Sequence, residues 1–230
     1  MTRVELAQDG IAGLRSIDVV MPPEPEDYVV AMENHPGAAV GGVVGGVIIA
    51  ADQTAKTNRV KQALQGQRMS VSRTMADALI QRLRATGYHV RLIEVPLDRQ
   101  SVSPSINVAA VESDADALLV VTPRTIGFVT ANAFAAYEPT VMAEVTLLGR
   151  DRKIVLYRGL HSAGRKPLIG EWRNVPARRT FADVDGLVAN PGTTAAALTE
   201  AGTDVAQAIA DDIRLSAASP AVAARRTGRG

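Results

Sequence analysis

Residues 35–52 read His-Pro-Gly-Ala-Ala-Val-Gly-Gly-Val-Val-Gly-Gly-Val-Ile-Ile-Ala-Ala-Asp, and no other stretch constrains the chain as tightly. Glycines recur every four residues, at Gly37, Gly41 and Gly45 and again at Gly42 and Gly46. On a helix that spacing makes one stripe without side chains, where a second backbone can approach closely. The residues between are Val43, Val44, Val47, Ile48 and Ile49. A flexible linker would use serine with glycine, so the run predicts a packing helix. Gly37, Gly41, Gly42, Val44, Gly45, Gly46 and Ile48 are the candidate assembly or membrane-contact residues. As a helix, Gly37–Ala51 spans only about 22 Å, short of a bilayer's hydrocarbon core. Docking on another helix or shallow insertion is therefore expected in place of spanning.

Phosphate-binding glycine loops are excluded by spacing. A Walker loop needs Lys-Ser/Thr directly after its last glycine, whereas Val47-Ile48 follow Gly46 and Lys56-Thr57 lie further on. A dinucleotide fingerprint needs Gly-x-Gly, which the run lacks.

Charge is unevenly spread although the net is only +1. Residues 1–36 hold two arginines against seven acids. Residues 149–179 hold nine Lys/Arg against Asp151 and Glu171. Within that basic stretch Arg150, Arg152, Lys153, Arg158, Arg165 and Lys166 are candidate anion contacts, interleaved with Tyr157 and Trp172. No nucleic-acid motif frames them, so a nucleic-acid partner is not expected, and a solvated hairpin and loop is the plain alternative.

Other chemistry is thinly represented. The absence of cysteine removes disulfides, thiolate zinc sites and thiol nucleophiles together. His35, His89 and His161 are far apart and lack neighbours at metal-ligand spacing, so neither metal nor cofactor is expected. Gly159-Leu160-His161-Ser162-Ala163-Gly164 misplaces the first glycine of a nucleophile elbow by one residue. Glu112, Asp114 and Asp116 form an acidic cluster without a calcium-loop glycine. An enzyme would need groups such as His89, Ser162 and Glu112 to converge in one cleft.

Only 3 % of the chain is aromatic, so its core must come from Ala, Val, Leu and Ile. Residues 15–21 read as a strand, stopped by Pro22, Pro23 and Pro25 at the head of an acidic connector. One helix is expected over about 38–65, interrupted by Gly66, and an amphipathic one over 67–85 with Gly87 at its end. Residues 88–95 alternate as a strand. Ser103 and Pro104 suggest a short helix over 104–113. The continuous apolar run 117–122 reads as a central strand buried on both faces. Strands follow at 139–149 and 153–162, then a long loop over 163–190 and a helix over 193–215. The expected units are a strand and acidic connector (1–36), a glycine-rich helix (37–66), an α/β domain (67–215) and a disordered basic tail (216–230). The fold class is α/β (α+β): a mixed sheet of about 4–5 strands, packed with long helices from the amino-terminal half and a carboxy-terminal helix.

Three segments carry a family resemblance: Val4-Glu5-Leu6-Ala7 through Ser16-Ile17-Asp18-Val19-Val20, Gly41-Gly42-Val43-Val44-Gly45-Gly46, and Lys56-Thr57-Asn58-Arg59. Together they resemble uncharacterised lipoproteins of proteobacterial envelopes, over residues 4–65. The element order of 70–215 is similar to the small α/β domain of the curli-secretion lipoprotein and to the TolB amino-terminal domain. The resemblance implies a periplasmic domain held at the outer membrane by a lipidated cysteine, serving assembly or partner contact without catalysis. No such cysteine is present, and Thr2–Gly10 lacks the apolar stretch of a signal peptide. The chain is thus either cytoplasmic, or Met1 replaces a removed signal and anchor. The resulting expectation is a non-enzymatic envelope domain that self-associates, binds an envelope partner or touches the bilayer through the glycine helix. The alternative is a soluble anion- or nucleic-acid-binding domain using residues 150–179.

Overall fold

The computed structural model of the chain describes residues 11, 13–39, 42–98 and 105–218. They form a mixed α/β structure with a seven-stranded sheet. In chain order the strands are β1 (Ser16–Met21), β2 (Val29–Met32), β3 (His89–Glu94), β4 (Leu97–Asp98), β5 (Ser105–Ile106), β6 (Ala117–Thr130), β7 (Glu138–Gly149), β8 (Val155–Ala163) and β9 (Trp172–Val175). The α-helices are α1 (Gly42–Leu64), α2 (Val71–Ala85), α3 (Val184–Ala189) and α4 (Pro191–Ala218). The main sheet runs β3-β1-β6-β7-β8-β9, and β2 also pairs with β6. Strands β4 and β5 make a separate antiparallel pair.

The 14-residue strand β6 organises the sheet. Its first part, Ala117–Val120, pairs in parallel with β1, and its last part, Gly127–Thr130, pairs in parallel with β2. Both neighbours lie on the same side of β6, and the connector between them, Pro22–Tyr28, leaves the sheet where β6 shifts register between Pro123 and Thr125. Proline supplies no ladder donor, so the irregularity falls where the sheet opens. Gly127 is required where β2 rejoins, because a Cβ there would lie 1.9 Å from the Val29 carbonyl oxygen.

Alternation along β1 and β6 explains their apolar runs. Ile17, Val19, Ala117, Leu119 and Val121 face the main core with the helices. Val20, Leu118 and Val120 face a smaller cluster with Ile106 and Val111. The expected burial of 117–122 on both faces is what the strand shows. On β7, Val141, Ala143, Val145 and Leu147 are buried, while the alternate residues are partly open to water.

Helix α2 puts Met75, Leu79 and Leu83 into the main core, with Ser70 as its N-cap and Gly87 (φ 99°) just beyond its end. It links β1 to the parallel strand β3 as a crossover. Helix α4 lays Leu198, Val205, Ile209 and Ile213 on the same core. The carboxy-terminal half of α1 joins that core through Val60 and Leu64.

The structure departs from the sequence expectations at several elements. The sheet has seven strands because β2 lies within the acidic connector and β9 within the expected loop 163–190. That loop also contains α3, capped by Asp183, whose side chain accepts from the Gly186 amide. The central strand runs eight residues past Thr122 to Thr130. Ser105–Ile106 is a short strand followed by a 3-10 turn at Val108–Ala110, where a helix is expected over 104–113. Ser103 and Pro104 lie outside the described residues, as do Met1–Gly10, Gly41 and the tail from residue 219; α4 itself continues to Ala218.

Candidate functional site

The glycine run is helical from Gly42, after a 3-10 turn at Pro36–Ala39 that contains Gly37. Gly42, Val44, Gly45, Gly46 and Ile48 all lie on α1, while Gly41 lies outside the described residues. The helix has two distinct halves. From Asp52 onward it is tied to the domain. Thr57 Oγ1 accepts from the Val30 amide at 3.1 Å, Lys61 pairs with Asp27 at 2.5 Å and Arg59 pairs with Asp185. Asp52 takes Lys56 at 2.6 Å and His35 at 3.0 Å. Ahead of Asp52, Val47 is 62 % and Ile48 42 % exposed, and nothing lies within 4 Å of a Cβ built on Gly46.

The basic residues do not form one patch. Arg150, Arg152 and Lys153 sit in the turn joining β7 to β8, with Arg152 in a left-handed conformation (φ 59°). Arg165 is drawn to the far side by Glu33 at 2.9 Å and Glu138 at 3.9 Å. Arg178 and Arg179 are paired with Asp204 and Glu200 on α4. Arg158 and Lys166 are instead brought together, with Trp172 and Arg173, around a pocket of about 690 Å³. Residue spacing marked the mixture of basic and aromatic groups but not which cations pair elsewhere, because those partners lie 21 or more residues away.

That pocket borders a buried polar chain. Tyr157 Oη donates to Asp212 Oδ2 at 3.1 Å and meets His161 Nε2 at 2.7 Å. With the phenol proton spent on Asp212, the imidazole Nε2 is the donor to the phenol. Arg173 closes the chain on Asp212. Tyr157, Gly159 and His161 share one face of β8, and the contact exists because Gly159 has no Cβ: one would lie 2.1 Å from Tyr157 Oη.

A second cavity, about 370 Å³, opens where the sheet parts, lined by Pro22, Pro23, Pro96, Leu97, Pro123 and Ile126 among others. It sits beyond the carboxyl ends of β1 and β3 beside the start of α2, the place where open α/β sheets bind ligands. Here the chain fills the helix N-terminus itself. The Glu24 carboxylate accepts from the amides of Val71 (2.9 Å) and Ser72 (2.7 Å) and from Ser70 Oγ (2.7 Å). Tyr28 Oη donates to it at 2.5 Å. Burial, and this bond to an anion, push the Tyr28 phenol well above its usual range.

Of the remaining candidates, Ser162, Asp114 and Asp116 have structural partners. Ser162 is buried on β8, its hydroxyl donating to Asn174 at 2.8 Å, so it is not on a nucleophile turn. His89 starts β3, separated from β8 by three strands, and Glu112 lies in the loop before β6, so these three do not converge. In the acidic cluster, Asp116 accepts from the Arg15 and Ser16 amides and from Ser16 Oγ, each at 3.0 Å. Asp114 lies 3.5 Å from Arg91, which in turn holds the buried Asp18 at 2.7 Å.

No family model matches the sequence, and no curated protein does. Among solved structures, the chain is similar to a DUF330-family protein from Xanthomonas campestris, at 13 % identity and TM-score 0.45 over 88 % of this chain and 85 % of that one. It is also similar to the PelC dodecamer of Paraburkholderia phytofirmans, at 10 % identity and TM-score 0.36 over 91 % and 92 %. A lipoprotein from Neisseria meningitidis aligns at 16 % identity and TM-score 0.27 over 64 % and 81 %. Likenesses this low transfer no function, and they do not bear on the narrower resemblance to the curli-secretion lipoprotein or TolB. Among the described residues, no helix is long and apolar enough to cross a membrane.

Proposed function

We propose that the chain is a non-enzymatic domain of the bacterial envelope that self-associates through the amino-terminal half of α1. One observation carries this reading. A helix whose carboxy-terminal half is locked into the core presents Val47, Ile48 and the open position Gly46 to solvent. Burying one such aliphatic side chain is worth about 1.5–3 kcal/mol, so a few of them on each copy supply a driving force for association. The small residues let two such helices approach closely. The occupant is a second copy of the same helix, because the four-residue glycine spacing of the sequence would be met by the same spacing on its partner. Tethering at the outer membrane through an upstream lipid rests on the resemblance of residues 4–65 to envelope lipoproteins.

The test is the mass of the purified chain by light scattering after size exclusion, with and without anionic liposomes. A defined oligomer is expected, reduced to monomer by Val47→Glu combined with Ile48→Glu, with the fold retained by circular dichroism and the thermal midpoint lowered only by the loss of association. A monomer at about 100 μM would refute self-association, since it makes the association free energy weaker than roughly −5.5 kcal/mol. A monomer that moves onto the liposomes would make the helix a membrane contact instead.

A further inference from the structure

Beyond self-association, the pocket between β8, β9 and the end of α4 has the makings of a ligand site. Strand β9 pairs with β8 only from Leu160 onward, so residues 155–159 form a sheet edge there. The loop carrying Lys166 and Gly170 and the last turns of α4, with Asp212 and Leu215, close the other sides. Most arginines of the basic stretch are already matched to a carboxylate. Arg158 and Lys166 are not: like Arg150, Arg152 and Lys153 in the β7–β8 turn, they have no ion pair with an acid among the described residues, and of these five cations Arg158 and Lys166 line the pocket. Trp172 is held beside these cations. Its Nε1 donates to the Ile169 carbonyl at 2.8 Å, fixing the indole plane. Two acids face the same space, Asp212, which Arg173 neutralises, and Glu171, which stands exposed.

We propose that this pocket binds a small phosphate-bearing molecule with a flat ring, Arg158 and Lys166 taking the oxyanion and Trp172 stacking on the ring. Arg158 presents a planar fork suited to oxyanions and Lys166 a mobile point charge. The indole adds a stacking surface whose orientation is set before the ligand arrives. Inorganic phosphate alone meets only the cations, and a nucleoside alone only the indole.

Trp172 is the only tryptophan of the chain, so its fluorescence reports on this pocket alone. The experiment titrates the full chain in low-salt buffer with AMP, inorganic phosphate and adenosine. AMP is expected to give a saturable change, with adenosine and phosphate each weaker, and with an affinity that falls as salt rises. Arg158→Gln and Lys166→Gln should each weaken AMP at least about tenfold, as the loss of one charge-assisted bond requires. Lys153→Gln removes a charge from the β7–β8 turn and should change the affinity less than about twofold. Circular dichroism checks that each variant is folded. The absence of any saturable change with AMP up to about 10 mM, weaker than any useful site, would overturn the proposal. So would a loss in Lys153→Gln equal to that in the pocket variants. Equal affinity for phosphate and AMP would overturn the role given to Trp172.

Discussion

Replacing Glu24 by alanine tests how the chain closes its own ligand-type crevice. The carboxylate takes two of the unpaired amides that begin α2, the Ser70 hydroxyl and the Tyr28 phenol. Hydrogen bonds to a charged acceptor contribute about 1.5–3 kcal/mol each, and removal of an N-capping group costs about 0.5–2 kcal/mol. Water reaches this half-buried site and restores part of the loss, so the four bonds do not add. The net expected is about 3 kcal/mol, or about 6–12 °C in the thermal midpoint of a chain this long. Glu24→Gln keeps one acceptor oxygen but loses the charge that favours a helix N-terminus, and should cost about half as much. Urea unfolding followed by circular dichroism measures both, at one fixed protein concentration because association shifts the midpoint. In Glu24→Ala the vacated amides should accept a free carboxylate. With a Kd of about 10 mM, formate at about 100 mM would return about 1.4 kcal/mol. A Glu24→Ala variant within about 0.5 kcal/mol of the parent would refute the reasoning, because surface changes of no consequence fall in that range.

Two further outcomes are expected. Gly127→Ala should cost about 2–3 kcal/mol or more by forcing β2 from β6, read as faster hydrogen exchange at Val30 and Ala31; an unchanged thermal midpoint would count against the close approach described for Val29. Bonds from the Arg15 amide, the Ser16 hydroxyl and the Ser16 amide hold Asp116 below its usual carboxylate value. A depressed folded-state value means stability that is present above the unfolded value, roughly pH 4, and lost as pH falls through the folded one. The urea midpoint should therefore fall less steeply on acidification in Asp116→Asn than in the parent, and parallel profiles would exclude the contribution.

The parts legible in the sequence were those whose signal is local. Helix α2 shows itself through the spacing of Met75, Leu79 and Leu83 and its boundary residues Ser70 and Gly87. The strand at 117–122 is visible as an unbroken apolar run. Pro123 then hides the rest of β6, because proline ends a strand in any local reading, whereas here it falls at a register shift that tolerates it. Strands β2 and β9 have four residues each and are specified by parallel partners 98 and 12 positions away in register, beyond any local pattern. The same distance problem governs the basic stretch. Arg158 and Arg165 look alike in sequence, and only the fold gives Arg165 its glutamates and leaves Arg158 at the pocket.

The ends of the sheet bear on how copies of the chain can grow together. At one side stands β3, whose exposed positions include His89, Arg91 and Glu94; at the other stand β9, only four residues long and bearing Arg173, and the uncovered residues 155–159 of β8, which include Arg158. Short, charged margins of this kind resist strand-by-strand fusion with a neighbour. Fibrils built by extending the sheet are thereby disfavoured, and concentrated protein should stay free of amyloid-type dye binding. Association of copies, where it occurs, would then leave each sheet private to its own copy.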